Sequence, residues 1–306
     1  MPSETQLLNQ AFLESVTTPG LEKRAIDAVN DFTRTTMRED GFHRRIMAYL
    51  PISNDELDRS LVTPAPIKII DKEPGSPASL SVPFADQPVE YYIRGARYQV
   101  TFGRIMSPRF TVDVDELRTW IMDIRQVISD NSIKDMLAEE DSAFIAALNT
   151  ALVGQGSVVP YSGKVQWQAI SGGIDRDTMQ DSLKIMPRTP SRLEVRKGLV
   201  NNITIREFMK WRRDEVGGDF SQDVLLNGWS RQEFMNVTWE VTIKQDLVPE
   251  NRVYYFADEK FIGRAYELEA TTMNIKRDGP MIEFYNYETI GASIGHTGGL
   301  AAADFT

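Results

Sequence analysis

The sequence has no cysteine and only two histidines. Without cysteine the chain forms no disulfide, thiol nucleophile, iron–sulfur cluster or thiolate zinc site. His43 and His296 lie in unrelated contexts, and no HExxH or GxSxG motif accompanies either of them. No apolar run reaches the roughly 18 residues that cross a bilayer, and the first residues have no secretory pattern. We therefore expect no catalytic residue, no metal, no cofactor and no membrane contact.

Basic residues are also fewer than acidic ones. There are 34 Lys and Arg against 44 Asp and Glu, which gives a net charge of −10. Such a protein repels a phosphate backbone as a whole, so we do not expect it to bind nucleic acid by counterion release. A protein that surrounds DNA without adhering to it has the same sign of charge. Many soluble cytosolic proteins are equally acidic, however, so charge alone does not decide the function.

Two short segments suggest ligand chemistry, and neither has a complete motif. GSVVPYSGKV, residues 156–165, resembles a phosphate loop, but Val165 stands where a magnesium-binding hydroxyl is required. Glu139, Glu140 and Asp141 form an acidic cluster that could hold a metal ion. Carboxylates are also favoured at the start of a helix, here the one that SAFIAAL predicts, because they complement the helix dipole. We favour this second interpretation.

The first third of the chain has two contrasting patterns. Residues 1–60 are polar and helical in pattern, with an amphipathic segment at 21–40 that predicts an arm. In residues 61–112, prolines and turn residues separate two β-rich runs, IKII and VEYYIRGARYQVTF. This pattern predicts a long hairpin over about 61–100, with its tip near Glu73–Ser79.

Residues 113–160 have a helical period, with a break predicted at SDNS and a stop at Gly154. Short helices and strands alternate over 161–250. In that region the alternating segment MNVTWEVTIKQ predicts a strand with four apolar residues on one face. These residues are Val237, Trp239, Val241 and Ile243.

Residues 251–290 are mostly strand in pattern, with a turn predicted at Asp278-Gly279. The tail at 291–306 is rich in small residues and glycine. The length of 306 residues suggests one large domain or two intertwined ones, and the 42% of hydrophobic residues is enough for a sizeable core.

The order of these elements resembles the major capsid proteins of tailed bacteriophages, which have the Hong Kong 97 capsid fold. The resemblance spans Leu61 to Leu300 and is architectural. It is carried by ARYQVTFGRIMSPRFTVDVDELRTW, MLAEEDSAFIAAL, RVYYFADEKFIGRAYELEATTM and FYNYETIGASI. These stretches resemble, in turn, the passage from extended loop to spine helix, the end of that helix, the start of the long peripheral strands and the closing strand.

The resemblance implies an α+β protein of the Hong Kong 97 type. Its expected parts are an N-terminal arm (1–60), an extended β-hairpin loop or E-loop (61–112), the spine helix of the peripheral domain or P-domain (113–160), a compact mixed axial domain or A-domain (161–250), long P-domain strands (251–290) and a C-terminal return to the axial domain (291–306). It also implies a non-enzymatic subunit that self-assembles as hexamers and pentamers into an icosahedral head. That head encloses double-stranded DNA without binding it specifically.

The expected location is the virion, after assembly in the host cytoplasm. About 60 residues precede the hairpin. This length suggests a separate scaffold protein rather than a built-in scaffold segment. A portal protein and, as in some relatives, a cement protein are further expected partners.

The E-loop is the expected contact between subunits, through β-augmentation at exposed strand edges. The residues expected there are Ile67, Lys68, Ile69, Ile70, Asp71, Lys72, Val89, Glu90, Tyr91, Tyr92 and Ile93. Four arginines are also expected to make subunit contacts rather than to bind DNA. They are Arg44, Arg45, Arg212 and Arg213.

Two other functions stay open. An α/β enzyme or ligand-binding protein without a recognisable motif would run as a small oligomer in solution. Another phage structural part, such as a tail or tube protein, would form rings or tubes rather than closed shells.

Overall fold

The computed structural model describes residues 4–17, 41–72, 81–84, 87, 90, 95–117, 124–154, 159–160, 166–189, 191–208 and 231–306. The amphipathic segment at 21–40, the predicted loop tip and the pair Arg212 and Arg213 lie outside the described residues. The helices of the described part are α1 (Glu4–Thr17), α2 (Phe42–Ile46), α3 (Val114–Leu117), α4 (Ile124–Gly154), α5 (Arg176–Leu183), α6 (Ile185–Arg188) and α7 (Thr204–Phe208).

The strands form three sheets. They are β1 (Tyr49–Pro51), β2 (Asp58–Arg59), β3 (Pro66–Lys72), β4 (Ala96–Thr101), β5 (Gly103–Met106), β6 (Phe110–Asp113), β7 (Val159–Pro160), β8 (Trp167–Ile170), β9 (Lys197–Asn201), β10 (Arg231–Phe234), β11 (Val237–Thr242), β12 (Arg252–Phe256), β13 (Gly263–Asp278), β14 (Met281–Ile294) and β15 (Leu300–Phe305).

The largest sheet has seven strands in the order β10-β11-β9-β12-β15-β8-β7. Its apolar residues serve two cores: along β12, Val253 and Tyr255 join one cluster, and Tyr254 and Phe256 join the other. The first cluster includes residues of α5, α6 and α7, and the second includes residues of α2 and α4. The sheet is therefore the middle of three layers, which explains why its central strands β12 and β15 are nearly continuous apolar runs.

The glycine-rich tail contributes a central strand to this sheet. β15 pairs antiparallel with β12 and parallel with β8. Ala301, Ala302 and Ala303 are buried, and the first two lie opposite Tyr255 and Tyr254 in the register. The small side chains leave room on both faces for the large residues of β12.

Two features of β11 differ from the sequence prediction. Val237 and Trp239 are buried as expected, but Ile243 lies beyond the strand end and is 79% exposed. Glu240, expected on the polar face, is fully buried and pairs with Arg45 at 3.2 Å. The alternation fails because elements cover both faces of this sheet.

The second sheet has the order β1-β13-β14-β5, and β6 also pairs with β14. β13 and β14 have 16 and 14 residues and form one long hairpin. Gly279, with φ of 62°, lies between them, which confirms the predicted turn. Phe12 and Leu13 of α1 pack against the distal end of this hairpin.

Helix α4 has 31 residues and ends at Gly154, as predicted. The predicted break at SDNS is wrong, because the helix continues through it. None of those four residues is Gly or Pro, and Ser132 is buried, so packing overrides weak propensity. The helix-start interpretation of the acidic cluster is also wrong: Glu140 and Asp141 lie in the middle of α4 and are buried.

Candidate subunit-contact surface

The third sheet is an antiparallel hairpin with one short additional strand. β3 pairs antiparallel with β4, from Ile67 opposite Thr101 to Lys72 opposite Ala96. The two-residue strand β2 pairs with the start of β3. These strands confirm an antiparallel hairpin within 61–100. Their register is centred on residue 84, beyond the tip predicted from the prolines.

Small residues of β14 and the loop after it anchor the hairpin base. A Cβ atom on Gly291 would lie 2.9 Å from Cγ1 of Val100, and one on Gly295 would lie 2.5 Å from the ring of Tyr98. A side chain at either position would displace β4. Val100 itself is fully buried. The base is therefore fixed to the long strands.

The structure separates the predicted contact residues by exposure. Ile67 is buried at the base of the hairpin, so it holds the hairpin in place and is not available to a neighbour. Ile69, Asp71 and Glu90 are exposed, whereas Lys68, Ile70 and Lys72 are half-buried. The alternation along residues 68–72 follows from the two-residue period of a strand. Ile67 shares the face of Ile69 and is buried because it lies at the base. The remaining four predicted residues, Val89, Tyr91, Tyr92 and Ile93, lie outside the described residues.

A group of exposed apolar residues lies in the same segment, and the sequence analysis named only Ile69 among them. Of eleven large hydrophobic residues that are exposed in the described chain, five lie between residues 61 and 84. They are Leu61, Val62, Ile69, Val82 and Phe84. A concentration of uncovered apolar side chains marks a surface that associates with another. The sequence signal that could have indicated them is the presence of the short apolar stretches LV and VPF within a proline-rich segment.

A cluster of buried ion pairs lies where α2 meets α4 and β14. Arg44 donates from Nε and Nη2 to both oxygens of Glu140, at 3.0 and 2.9 Å, and from Nη2 to Glu288 at 2.7 Å. Lys244 pairs with Asp141 at 2.7 Å. The expected subunit contacts of Arg44 and Arg45 are therefore wrong for this conformation, because both arginines pair with buried carboxylates of their own chain.

His43 belongs to the packing of this cluster. Its backbone N–H donates to Asp141 at 3.0 Å, its Nδ1 bonds the hydroxyl of Tyr49, and its ring stacks on Phe144 at 4.3 Å. Burial, together with the charge of Arg44, lowers the pKa of His43 to about 3. The imidazole is therefore neutral at pH 7. Burial also lowers the pKa of His296, whose Nδ1 accepts from the backbone N–H of Gly298.

A cavity of about 250 Å³ lies beside the cluster, between α4, β5 and β14. Phe144, Ala147 and Ile290 are among its mostly apolar lining, together with His43 and Glu140. No group of three or more His, Cys, Asp or Glu residues in the described chain is arranged to hold a metal ion. No described helix is long and apolar enough to cross a membrane.

No protein-family profile and no curated protein sequence matches the chain. Solved structures do match. A virus-like particle protein from Pyrococcus furiosus is 11% identical, with 91% of this chain and 99% of that chain covered and a TM-score of 0.54. The mature capsid of bacteriophage PhiM1 gives 8% identity, 87% of each chain and a TM-score of 0.57. The capsid of an empty GTA particle gives 11% identity, 87% and 90% coverage and a TM-score of 0.58.

These likenesses span most of each chain, at identities that inform about the fold alone. The chain thus has the architecture of proteins that build phage capsids and related particles. It is an α+β chain of the Hong Kong 97 type, as the resemblance in the sequence predicted.

Proposed function

We propose that this chain is the major capsid subunit of a tailed bacteriophage. It assembles as hexamers and pentamers into an icosahedral shell around double-stranded DNA, in the host cytoplasm, and acts structurally rather than as an enzyme. The fold supports this proposal, since capsid proteins share it over 85% or more of this chain in several cases. A separate scaffold protein, a portal and a cement protein are the partners that the proposal includes.

The observation that carries the proposal is the hairpin. Its base is fixed by Ile67 and Val100, yet Phe84 in its loop and Leu61 and Val62 in the connection before β3 are exposed to solvent. An isolated hairpin gains little from such residues, whereas a neighbouring subunit would bury them at about 25 cal/mol per Å². The E-loop contact residues predicted from the sequence, other than Ile67, belong to this proposed surface.

The proposal is tested with the purified protein by negative-stain electron microscopy and by sedimentation. Closed shells of uniform size are expected. Tubes or rings would favour a tail or tube protein, and a small oligomer with measurable turnover would favour an enzyme.

A deletion variant ties the result to the hairpin. Removing Asp71–Ala78 should leave a folded, soluble subunit, because the buried part of the hairpin lies at its base. Shell yield should fall at least tenfold. A normal yield would contradict the role of the hairpin, and an unfolded variant would contradict the claim that its buried part lies at its base.

A further inference from the structure

The ion pairs at Arg44 contain more buried acid than base. Arg44 bonds two carboxylates, Glu140 and Glu288, and the side chains of both are fully buried. If all three groups are ionised, they hold one surplus negative charge away from water, which is costly.

The surplus is localised at Arg44. In the neighbouring ion pairs, Arg45 lies 3.2 Å from Glu240 and Lys244 lies 2.7 Å from Asp141. Arg44, in contrast, bridges two carboxylates, one on α4 and one on β14. Thr271 donates to Oε2 of Glu288 at 2.9 Å, but the buried Oε1 of Glu288 has no hydrogen-bond partner among the residues that the structure describes.

The other described titratable groups near Glu140 and Glu288 do not supply the missing positive charge. His43, on α2, is neutral because burial and Arg44 lower its pKa to about 3. Tyr49, on β1, adds no charge, since burial raises the pKa of its hydroxyl. Arg104, on β5, lines the adjoining cavity but is exposed and faces Glu269 at 3.7 Å. Two more carboxylates, Glu139 on α4 and Glu267 on β13, add only negative charge nearby.

One proton bound to Glu140 or Glu288 would remove the surplus negative charge. Burial raises the pKa of Glu140 to about 7, and burial also raises the pKa of Glu288. Two interacting carboxylates titrate as a unit, so the proton belongs to the pair. We propose that Glu140 and Glu288 share one proton, and that its loss loosens the attachment of α2 to α4 and β14.

The sign of the pH effect follows from the raised pKa. A locally opened segment exposes both carboxyl groups, whose ordinary pKa is about 4.3. Between about pH 5 and 7 the closed state therefore binds one proton more than the open state, so closure weakens as pH rises. Above about pH 7.5 neither state holds the proton and the effect levels off. Because α2 leads into β1, which pairs with β13, the segment that loosens is 41–51.

The test is hydrogen exchange of residues 41–51 between pH 5 and 8.5, corrected for the intrinsic exchange rate. In the unaltered chain the opening constant of this segment should rise about tenfold per pH unit between pH 5 and 7. Residues 252–256, in the seven-stranded sheet, serve as the internal reference. The proposal is overturned if the opening constant of 41–51 relative to that reference does not depend on pH.

Three variants locate the proton. Glu140→Gln and Glu288→Gln should each abolish the slope, because either one leaves a single carboxylate for Arg44. Glu139→Gln, a neighbouring carboxylate of the same helix that lies outside the ion pairs, should keep it. Loss of the slope in only one of the first two variants would show that a single carboxyl titrates alone, and loss in Glu139→Gln would place the proton elsewhere. Either result overturns the shared proton. The readout concerns the subunit itself, so it does not depend on whether shells form.

Discussion

The seven-stranded sheet and the three-stranded hairpin differ in what covers them. Helices cover both faces of the sheet, and its large residues Trp239, Tyr254 and Tyr255 are fully buried. The hairpin buries Ile67 and Val100 at its base and leaves Ile69, Val82 and Phe84 exposed. A covered region stabilises the fold of its own chain, whereas an uncovered one gains stability only from another surface. Mutations in the covered sheet should therefore lower the free energy of unfolding, whereas mutations of the exposed hairpin residues should weaken association between subunits.

The largest loss of stability is expected from Trp239→Ala. Its ring packs over Gly198, where a Cβ atom would lie 2.6 Å from it, and meets the ring of Phe208 at 5.3 Å. Truncation leaves a cavity, so the free energy of unfolding should fall by about 3–5 kcal/mol in denaturant titration. Ile243→Ala, just beyond the same strand, should change it by less than about 0.5 kcal/mol. Equal losses at the two positions would contradict the difference in burial.

A loss of similar size is expected from Arg44→Met, because the substitution leaves Glu140 and Glu288 buried without their cation. Removing one side of a buried ion pair costs about 3–5 kcal/mol. Since protonation relieves the two uncompensated carboxylates, the loss should be larger at pH 8 than at pH 5. Denaturant titration at both pH values measures this. A loss that is smaller at pH 8 would show that the carboxylates are not the source.

The contrast between the two regions also explains what the sequence could predict. The turn at Asp278-Gly279, the stop at Gly154 and the hairpin pairing each depend on local signals, namely turn residues and a period. The order of elements was sufficient for the fold. The position of β15 in the middle of the seven-stranded sheet was not predictable, because alanine and glycine give no periodic hydrophobic signal. Their burial depends on the tyrosines of β12, which lie opposite them.

The ion-pair cluster was not predictable for a different reason. Arg44 and its two carboxylates lie 96 and 244 residues apart in the sequence. A charged residue in a sequence pattern is ordinarily taken as exposed, and only the three-dimensional structure shows the burial of these three. The exposure of Phe84 was not predicted for the opposite reason, because an apolar residue in a sequence is ordinarily taken as buried.

A smaller loss is expected where the two regions join. Gly291→Ala would place a Cβ atom 2.9 Å from Val100 and 3.0 Å from the carbonyl oxygen of Thr101. Overpacking of this kind costs about 1–3 kcal/mol in the free energy of unfolding. Gly103→Ala is the matched control, because its Cβ atom would meet nothing within 4 Å. If both variants behave alike, the close approach of the hairpin to β14 does not constrain position 291.

Phe84→Ser should leave stability almost unchanged and should weaken association. The residue is fully exposed in the subunit, so the free energy of unfolding should change by less than about 0.5 kcal/mol. Sedimentation at fixed protein concentration should show fewer assembled particles, while Ser81→Ala, close by in the same segment, should assemble normally. A large loss of stability in Phe84→Ser would mean that the side chain packs within its own chain.

The smallest effect is expected from Arg97→Met, which repeats the substitution at Arg44 in the exposed region. Arg97 lies 2.7 Å from Asp71, the same distance that separates Arg44 from Glu288. The side chains of Arg97 and Asp71 are 69% and 75% exposed, so water already stabilises both charges when they separate. Pairs of this kind contribute about 0–1 kcal/mol, and salt screens them. The free energy of unfolding should therefore fall by less than about 1 kcal/mol at low salt, and by less again at 1 M salt. A loss that matched Arg44→Met would show that distance, and not burial, sets the strength of the two pairs.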